Sequence, residues 1–418
     1  MNGNGKGGRT AMDAHNYAYM DELFLESYRA LDQLPLLQHR EPAAETFSNG
    51  IVLPCQEDAS GKHAGVLAED STYVELSAFP ALSPVDSWGG SYGQLSQATL
   101  GSLSTVHRRV MYLGRLWWHW GHFLMDLIPR LWYTLEQDPE VLIAFDGQEL
   151  PQGVYREFFS LAGVRPSQFV HVDTPMRFDE VVVPECSHVP GRFVLPAFAR
   201  IFDRVAEQAV SALPTKSLKN FAGRPVYLTR TGIQKKFPTE FGEQSIENLM
   251  RANGFVIVSP EQLSLPEQIA TIRLASEVAC LSGTLPHTMM FARDGAKLTV
   301  FRKSNKPVYR QFSVDQVRSL EVTHVDAHVS LHPVGASGPF VVTINDNVRR
   351  WAADRGFDVP ESRTRSATLR KLHLAQYLPL YMYRNHSKNH EVPLFIDGQF
   401  TTTPTAKREL SRWYRHAR

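Results

Sequence analysis

The chain has 418 residues, 43% hydrophobic and 21% charged, with a formal net charge of +1. That balance excludes a disordered, collagen-like or coiled-coil protein, and the near-zero charge removes the broad basic face that nucleic-acid binding ordinarily requires. The length exceeds what one core usually organises and predicts two domains with appendages.

Three cysteines, Cys55, Cys186 and Cys280, lie far apart, so neither a disulfide framework nor a paired-cysteine zinc site is expected, and a reducing compartment fits. The amino-terminal residues show no apolar run of signal-peptide length, and the greasiest segment, around residues 117–132, is broken by His119, His122, Asp126 and Arg130. The expectation is a cytoplasmic protein that does not span a membrane.

In chain order, residues 1–104 are read as an amino-terminal extension and the start of an acceptor-side domain, their short apolar runs separated by Pro, Gly and Ser clusters. An acceptor-side α/β domain follows over 105–213. It is predicted to hold a strand at 108–113 ended by Gly114, a long helix from about 117 to 135, strands at 141–145, 169–172 and 181–183, and helices at 153–162 and 197–213. The Pro- and Lys-containing stretch 213–225 is the candidate linker. A second α/β domain over 225–333 alternates strands at 226–229, 255–258, 278–281 and 297–301 with helices at 244–253, 266–276 and 287–293, the pattern of a mostly parallel sheet. Past Pro333 the alternation stops, leaving residues 334–418 as an extension with a basic, aromatic tail.

The first chemical constellation is HWGHFLMDLIPRLW, 119–132. On one helix, His119, His122 and Asp126 fall at i, i+3 and i+7 and share a face. The other faces are apolar, so the helix is expected to be buried with this stripe lining a cleft. Pro129 is expected to kink or end it. A buried carboxylate is costly without a partner, which makes Asp126 the candidate acid or base and Arg130, one turn on, its candidate structural counter-ion. Mutual satisfaction of these side chains is the plainer alternative. A metal site is the other, though no His-Glu-x-x-His pattern supports it.

The second constellation begins with Arg230, which follows a predicted strand and precedes Lys235 and Lys236. Cations at the carboxyl end of a parallel strand stand where open α/β sheets bind ligands and can hold a diphosphate by charge-assisted hydrogen bonds. One βαβ unit later, Ser282, Gly283, Thr284 and His287 form a strand end, a turn and a helix start, the geometry of an anion pocket.

Taken together these motifs, with VYLTR, NGFVIVSPEQLSLPEQIATIRLASEVACLSG and HTMMFARDG, resemble glycosyltransferase family 61 over residues 107 to about 303. The resemblance implies a GT-B-like fold, two Rossmann-like domains facing across a cleft, and an inverting transferase with no metal and no cofactor beyond a nucleotide-sugar donor, taken as UDP-linked. It implies Asp126, His122 and His119 as catalytic residues, and Arg230, Lys235, Lys236, Glu267, Ser282, Gly283, Thr284 and His287 on the donor side. Many members carry His-Gly-Ala-Gly where this chain has Ser282-Gly283-Thr284-Leu285, so donor identity does not carry over.

The expected partners are the nucleotide-sugar and a glycan or lipid-linked glycan acceptor, in cell-surface polysaccharide synthesis of the bacterial capsular or lipopolysaccharide kind, without nucleic acid. A catalytically silent glycan- or nucleotide-binding scaffold, and a His/Asp metallohydrolase, are the alternatives. From Leu369 onward nine basic residues (Arg370, Lys371, Arg384, Lys388, Lys407, Arg408, Arg412, Arg415 and Arg418) face three acidic ones (Glu391, Asp397 and Glu409). Such a tail suits either packing across the domains or peripheral contact with an anionic inner membrane face.

Overall fold

The computed structural model describes residues 15–58, 61–78, 102–103, 105–149, 151–233, 240–304, 307–328, 340–360, 395–396 and 399–400. Its first elements are β1 (His15–Tyr19), α1 (Glu22–Asp32), β2 (Ala44–Ser48), β3 (Ile51–Asp58), β4 (Gly61–Leu67) and β5 (Thr105–Leu116). Then come β6 (Leu142–Gly147), α2 (Gly153–Ala162), β7 (Phe169–His171), β8 (Met176–Pro184), the hairpin β9 (His188–Val189) and β10 (Phe193–Val194), and α3 (Pro196–Ser211). The second half holds β11 (Pro225–Leu228), β12 (Glu240–Phe241), α4 (Glu243–Ala252), β13 (Val256–Val258), α5 (Leu265–Leu274) and β14 (Glu277–Leu281). It continues with a 3-10 segment (Leu285–Phe291), β15 (Lys297–Arg302), α6 (Tyr309–Val317), β16 (Glu321–Asp326), β17 (Phe340–Val341) and α7 (Asp346–Asp354).

Two sheets result. The first runs β4-β3-β8-β5-β6-β7, with β2 also on β8. Its β5, β6, β7 and β8 are parallel, whereas β2, β3 and β4 pair antiparallel. The second runs β1-β16-β15-β14-β11-β13 and is parallel throughout. Its central strands β11 and β14 are near-continuous buried runs, as burial on both faces demands. The chain passes from β11 outward to β13, then returns across β11 to β14, β15 and β16. The order therefore reverses at β11/β14, and connections leave the carboxyl ends of those two strands in opposite directions, opening a crevice there.

Local sequence accounts for several boundaries. Ser264 and Glu267 form a reciprocal capping box at the start of α5, with Pro266 in its first turn. Gly254, at φ +84°, follows α4 and supplies the left-handed turn that ends it. The 213–225 stretch joins α3 to β11 through one helical turn, Thr215–Leu218.

The halves share apolar contacts. Phe158 of α2 and Phe202 of α3 meet Phe291 of the 3-10 segment edge-on, with centroids 6.3 and 5.1 Å away. Asp203 of α3 also takes ion pairs from Arg273 (2.9 Å) and Arg318 (3.0 Å).

Four expectations change. The long helix at 117–135 is broken into a turn at Trp120–His122, a π-helical turn at Phe123–Leu127 and a helix at Trp132–Glu136, because Pro129 has no N–H to continue the ladder. Gly114 does not end its strand. It is a bulge inside β5 at φ +113°, where a Cβ would come within 3.2 Å of Arg130 Nη1. β1, placed by sequence in an amino-terminal extension, is an edge strand of the second sheet. Past Pro333, α7 adds a further helix whose Trp351 packs edge-on against Phe301 at 5.0 Å. Residues 369–384 of the tail lie outside the described residues.

Candidate active site

Asp126 sits in the π-helical turn, buried at 7% exposure. π-turns shift side chains off the normal helical register and recur at functional sites. Its Oδ2 lies 2.6 Å from His122 Nδ1, one turn away. Arg310 Nε, from α6 in the second half, donates to Oδ1 at 2.8 Å and to Oδ2 at 3.1 Å. Burial alone would raise the Asp126 carboxyl, but the hydrogen bonds and charge of His122 and Arg310 outweigh it and hold it below the ordinary value. Asp126 is thus a fixed anion. Because Nδ1 of His122 is engaged by that anion, Nε2 keeps the lone pair, and the imidazole is 39% exposed and open to a substrate.

Arg130 does not fill the counter-ion role read from the sequence. It is buried and donates to the carbonyls of Pro184 (2.9 Å), Leu76 and Ala78 (both 2.8 Å), tying the π-turn to the first sheet. The partner that neutralises Asp126 is Arg310.

His119 precedes the helical turn with extended backbone, φ −136°, and is exposed. Its ring centroid lies 4.8 Å from that of His122. Burial, then the neighbouring His122 imidazole and the Arg230 and Arg310 guanidinium groups, lower its pKa. Gly121 abuts the second half, since a Cβ there would meet Thr284 at 3.0 Å. The His119–Asp126 segment therefore lies against the turn that leaves β14.

On that side, three strand ends converge. Arg230 follows β11, Ser282–Thr284 follow β14, and Lys303 follows β15. Glu240 bridges Arg230 (3.3 Å) and Lys303 (2.8 Å). Burial lowers the Lys303 ammonium, against the pull of Glu240. Gly283, at φ +132°, lies where a Cβ would be 3.2 Å from Lys303 Nζ, and Ser282 Oγ accepts the Lys303 backbone N–H at 3.1 Å. Behind Arg230, Glu243 is pushed up to about 7 by burial, despite accepting from the Arg230 N–H (3.2 Å) and the Tyr227 hydroxyl (3.2 Å). Two cations, Arg230 and Lys303, thus share one carboxylate, Glu240, an arrangement suited to a diphosphate.

Of the other residues read from sequence, Glu267 is occupied in capping α5. His287 is buried in the 3-10 segment, bonded through Nδ1 to Gln311 Oε1 at 3.0 Å, and burial lowers it to about 4. Lys235 and Lys236 lie outside the described residues.

Arg310, Lys303, Glu240 and His188 were not singled out by sequence. Lys303 was findable, because it follows a predicted strand just as Arg230 does. Arg310 carries no such signal.

His188 is fully enclosed, with Nδ1 2.7 Å from the Met125 carbonyl and Nε2 unpartnered. Burial, above all, lowers it to about 4. A histidine whose folded pKa lies below the free value near 6.5 takes up fewer protons than the unfolded chain, so stability falls as pH drops from about 6.5 to 4. We expect His188→Asn, which can still donate to Met125, to lose less melting temperature than wild type between pH 7 and pH 5. Equal losses in the two proteins would show that His188 is not a source of the acid sensitivity.

Residues 120–299 match a family model described as Glycosyltransferase 61. The match takes in His122, Asp126, Arg230 and the Ser282–His287 turn, and supports a glycosyltransferase of that family. Comparison with curated proteins gives no match.

Proposed function

We propose that the chain is an inverting, metal-independent glycosyltransferase of GT-B-like arrangement that moves a sugar from a nucleotide diphosphate donor, UDP-linked, to a glycan acceptor. The observation that carries this reading is the junction of the Asp126–His122 pair with the cationic crevice at the β11/β14 reversal, brought together by Arg310 and the Gly121–Thr284 contact.

In this reading His122 Nε2 takes the proton of the acceptor hydroxyl as that oxygen attacks the anomeric carbon. The bond from that carbon to the diphosphate oxygen breaks, and its electron pair leaves with the diphosphate. Arg230 and Lys303 meet the developing charge. The 3-10 segment after Ser282 is too short to supply much dipole, so these side chains carry most of it. Asp126 holds the His122 tautomer and stabilises the imidazolium. Arg310 uses only Nε for Asp126 among the described residues, which leaves its outer amino groups for donor phosphate. The expected site of action is the cytoplasm or the inner membrane face, with a glycan or lipid-linked glycan acceptor in cell-surface polysaccharide synthesis. Among the described residues no helix is long and apolar enough to cross a membrane.

The test is a thermal-shift screen of nucleotide-sugars and free nucleotides, followed by donor hydrolysis without acceptor. Arg230→Ala is expected to weaken the best donor by about 1.5–3 kcal/mol, roughly 10- to 150-fold, the range for a hydrogen bond to a charged group. Brief exposure to EDTA is expected to leave turnover unchanged. Loss of turnover restored by a divalent cation would overturn the metal-free chemistry, and binding without any turnover would favour a silent scaffold.

A further inference from the structure

β1 and β16, the two strands at one edge of the second sheet, and α6 bring together a buried cluster that the transferase reading does not use. His15, Asp315 and His324 each place a ligand atom within 4.8 Å of the others, and all three are nearly inaccessible, at 8, 3 and 3% exposure. His15 Nδ1 lies 2.5 Å from Asp32 Oδ1, so its N–H points there and the Nε2 lone pair faces Asp315 Oδ2 at 3.4 Å. The other oxygen of Asp315 accepts from Gln311 at 2.7 Å. Among the described residues both ring nitrogens of His324 have no hydrogen-bond partner, and Asp315 Oδ2 has none besides its ion pair with His15.

Buried polar atoms left unpaired are costly and ask for an explanation. A proton can satisfy part of the cluster, since His15 lies between Asp32 and Asp315. An imidazolium between two carboxylates still leaves a net negative charge and gives His324 nothing. Its ring is buried among Tyr17, Tyr28 and His15, stacked on Tyr17 at 5.2 Å, with a lone pair aimed at no donor.

A divalent cation answers Asp315 Oδ2 and one ring nitrogen of His324. Two neutral imidazoles and one carboxylate are a donor set for zinc. A tetrahedral ion with bonds of about 2.0–2.1 Å keeps neighbouring ligand atoms roughly 3.3–3.4 Å apart, which is the His15–Asp315 separation. Asp32 on the far nitrogen of His15 and Gln311 on the far oxygen of Asp315 are the outer partners that orient metal ligands. Two charges from the cation also balance the two carboxylates. A cavity of about 450 Å³, lined by His15, Tyr17, Arg29, Asp32 and Arg350 among others, reaches the His15 and Asp32 end of the cluster.

We propose that His15, Asp315 and His324 form a structural zinc site, with Asp32 as the orienting partner of His15, that pins β1 to the second sheet. The site shares no residue with the Asp126 crevice and does not depend on the transferase reading. It is also distinct from a metallohydrolase centre at His119, His122 and Asp126.

The test uses the full chain, freed of metal by prolonged dialysis against chelator, then given zinc and desalted. Elemental analysis is expected to find about one zinc per chain, with a higher melting temperature than the metal-free protein. Cobalt(II) in its place is expected to give the visible absorption of a four-coordinate site. His324→Phe keeps the ring stack on Tyr17 but removes the ligand. It is expected to retain no zinc and to melt at a temperature zinc does not move. Asp32→Asn is expected to bind about 10- to 100-fold more weakly. Equal zinc in wild type and His324→Phe, or a wild type that neither retains zinc nor shifts on adding it, would overturn the site. Should His324→Phe fail to fold, the wild-type cobalt spectrum and the Asp32→Asn affinity decide the matter alone.

Discussion

Replacing His122 by alanine is expected to lower turnover at saturating donor and acceptor by about 10²- to 10⁴-fold, the scale of a lost general base, while donor affinity changes little. The argument rests on geometry. His122 Nδ1 is held by Asp126 at 2.6 Å, which leaves Nε2 as the basic atom on the more exposed side of the pair. Asp126 is enclosed and already bonded to His122 and Arg310, so a proton taken directly by it would have to displace them. Asp126→Asn is expected to fall nearly as far in turnover, because an amide that donates toward Nδ1 would favour the tautomer whose lone pair faces away from the acceptor. The fold should survive, since Arg310 is partly exposed and can be solvated. His119→Ala, exposed and without a fixed partner in the pair, is expected to act mainly on KM. Normal turnover by a folded His122→Ala protein would remove His122 as the base. A large loss in Asp126→Asn but not in His122→Ala would return that role to Asp126.

The strands and helices between residues 225 and 301 were legible where a short apolar run is closed by Gly or opened by Pro and a capping Ser, whereas α6 and β16 were not read. The α5 boundary at Ser264–Glu267 and the turn at Gly254 are local events that neighbours do not override. The same locality explains Arg230, whose place follows from the strand before it. The His119–Asp126 spacing pointed to the right residues through the wrong geometry. An ideal helix aligns them at i, i+3 and i+7, whereas His119 lies before the turn in extended backbone and a π-turn sets Asp126 against His122 at i and i+4.

What sequence could not give is contact between distant segments. Arg310 reaches Asp126 across 184 positions, and β1 crosses from the amino terminus to the far edge of the second sheet. Neither leaves a periodic trace, because each is decided by tertiary packing. Glu267 illustrates the reverse error. A carboxylate inside a family-like run invites a functional role, but here it closes a capping box.

The largest expected effect on stability lies where β1 and α1 meet the second sheet. Arg302 and Asp326, at the carboxyl ends of neighbouring parallel strands, form an ion pair of 2.7 Å whose side chains are 1% and 0% exposed. The Arg302 guanidinium also lies 3.9 Å from the ring centroid of Tyr28 on α1, and Asp326 Oδ2 accepts the Asp21 N–H at 2.8 Å, just before that helix. Removing Arg302 leaves the Asp326 carboxylate buried with only the Asp21 N–H and His328 Nε2 at 3.7 Å beside it among the described residues, a loss of about 3–5 kcal/mol against a total stability of roughly 5–15 kcal/mol. Arg302→Met is therefore expected to lower the denaturant midpoint sharply. Burial already raises Asp326, and Arg302 opposes that rise. Without Arg302 the carboxyl's folded pKa moves further above its unfolded value, so its contribution is kept at low pH and lost as pH rises. The deficit of Arg302→Met is accordingly expected to be smaller at pH 5 than at pH 8. The double variant Arg302→Met with Asp326→Leu is expected to be more stable than Arg302→Met alone, since no charge is then left unpaired. Additive losses in the two single variants, with no recovery in the double, would show that the pair is not what holds β1 and α1 in place.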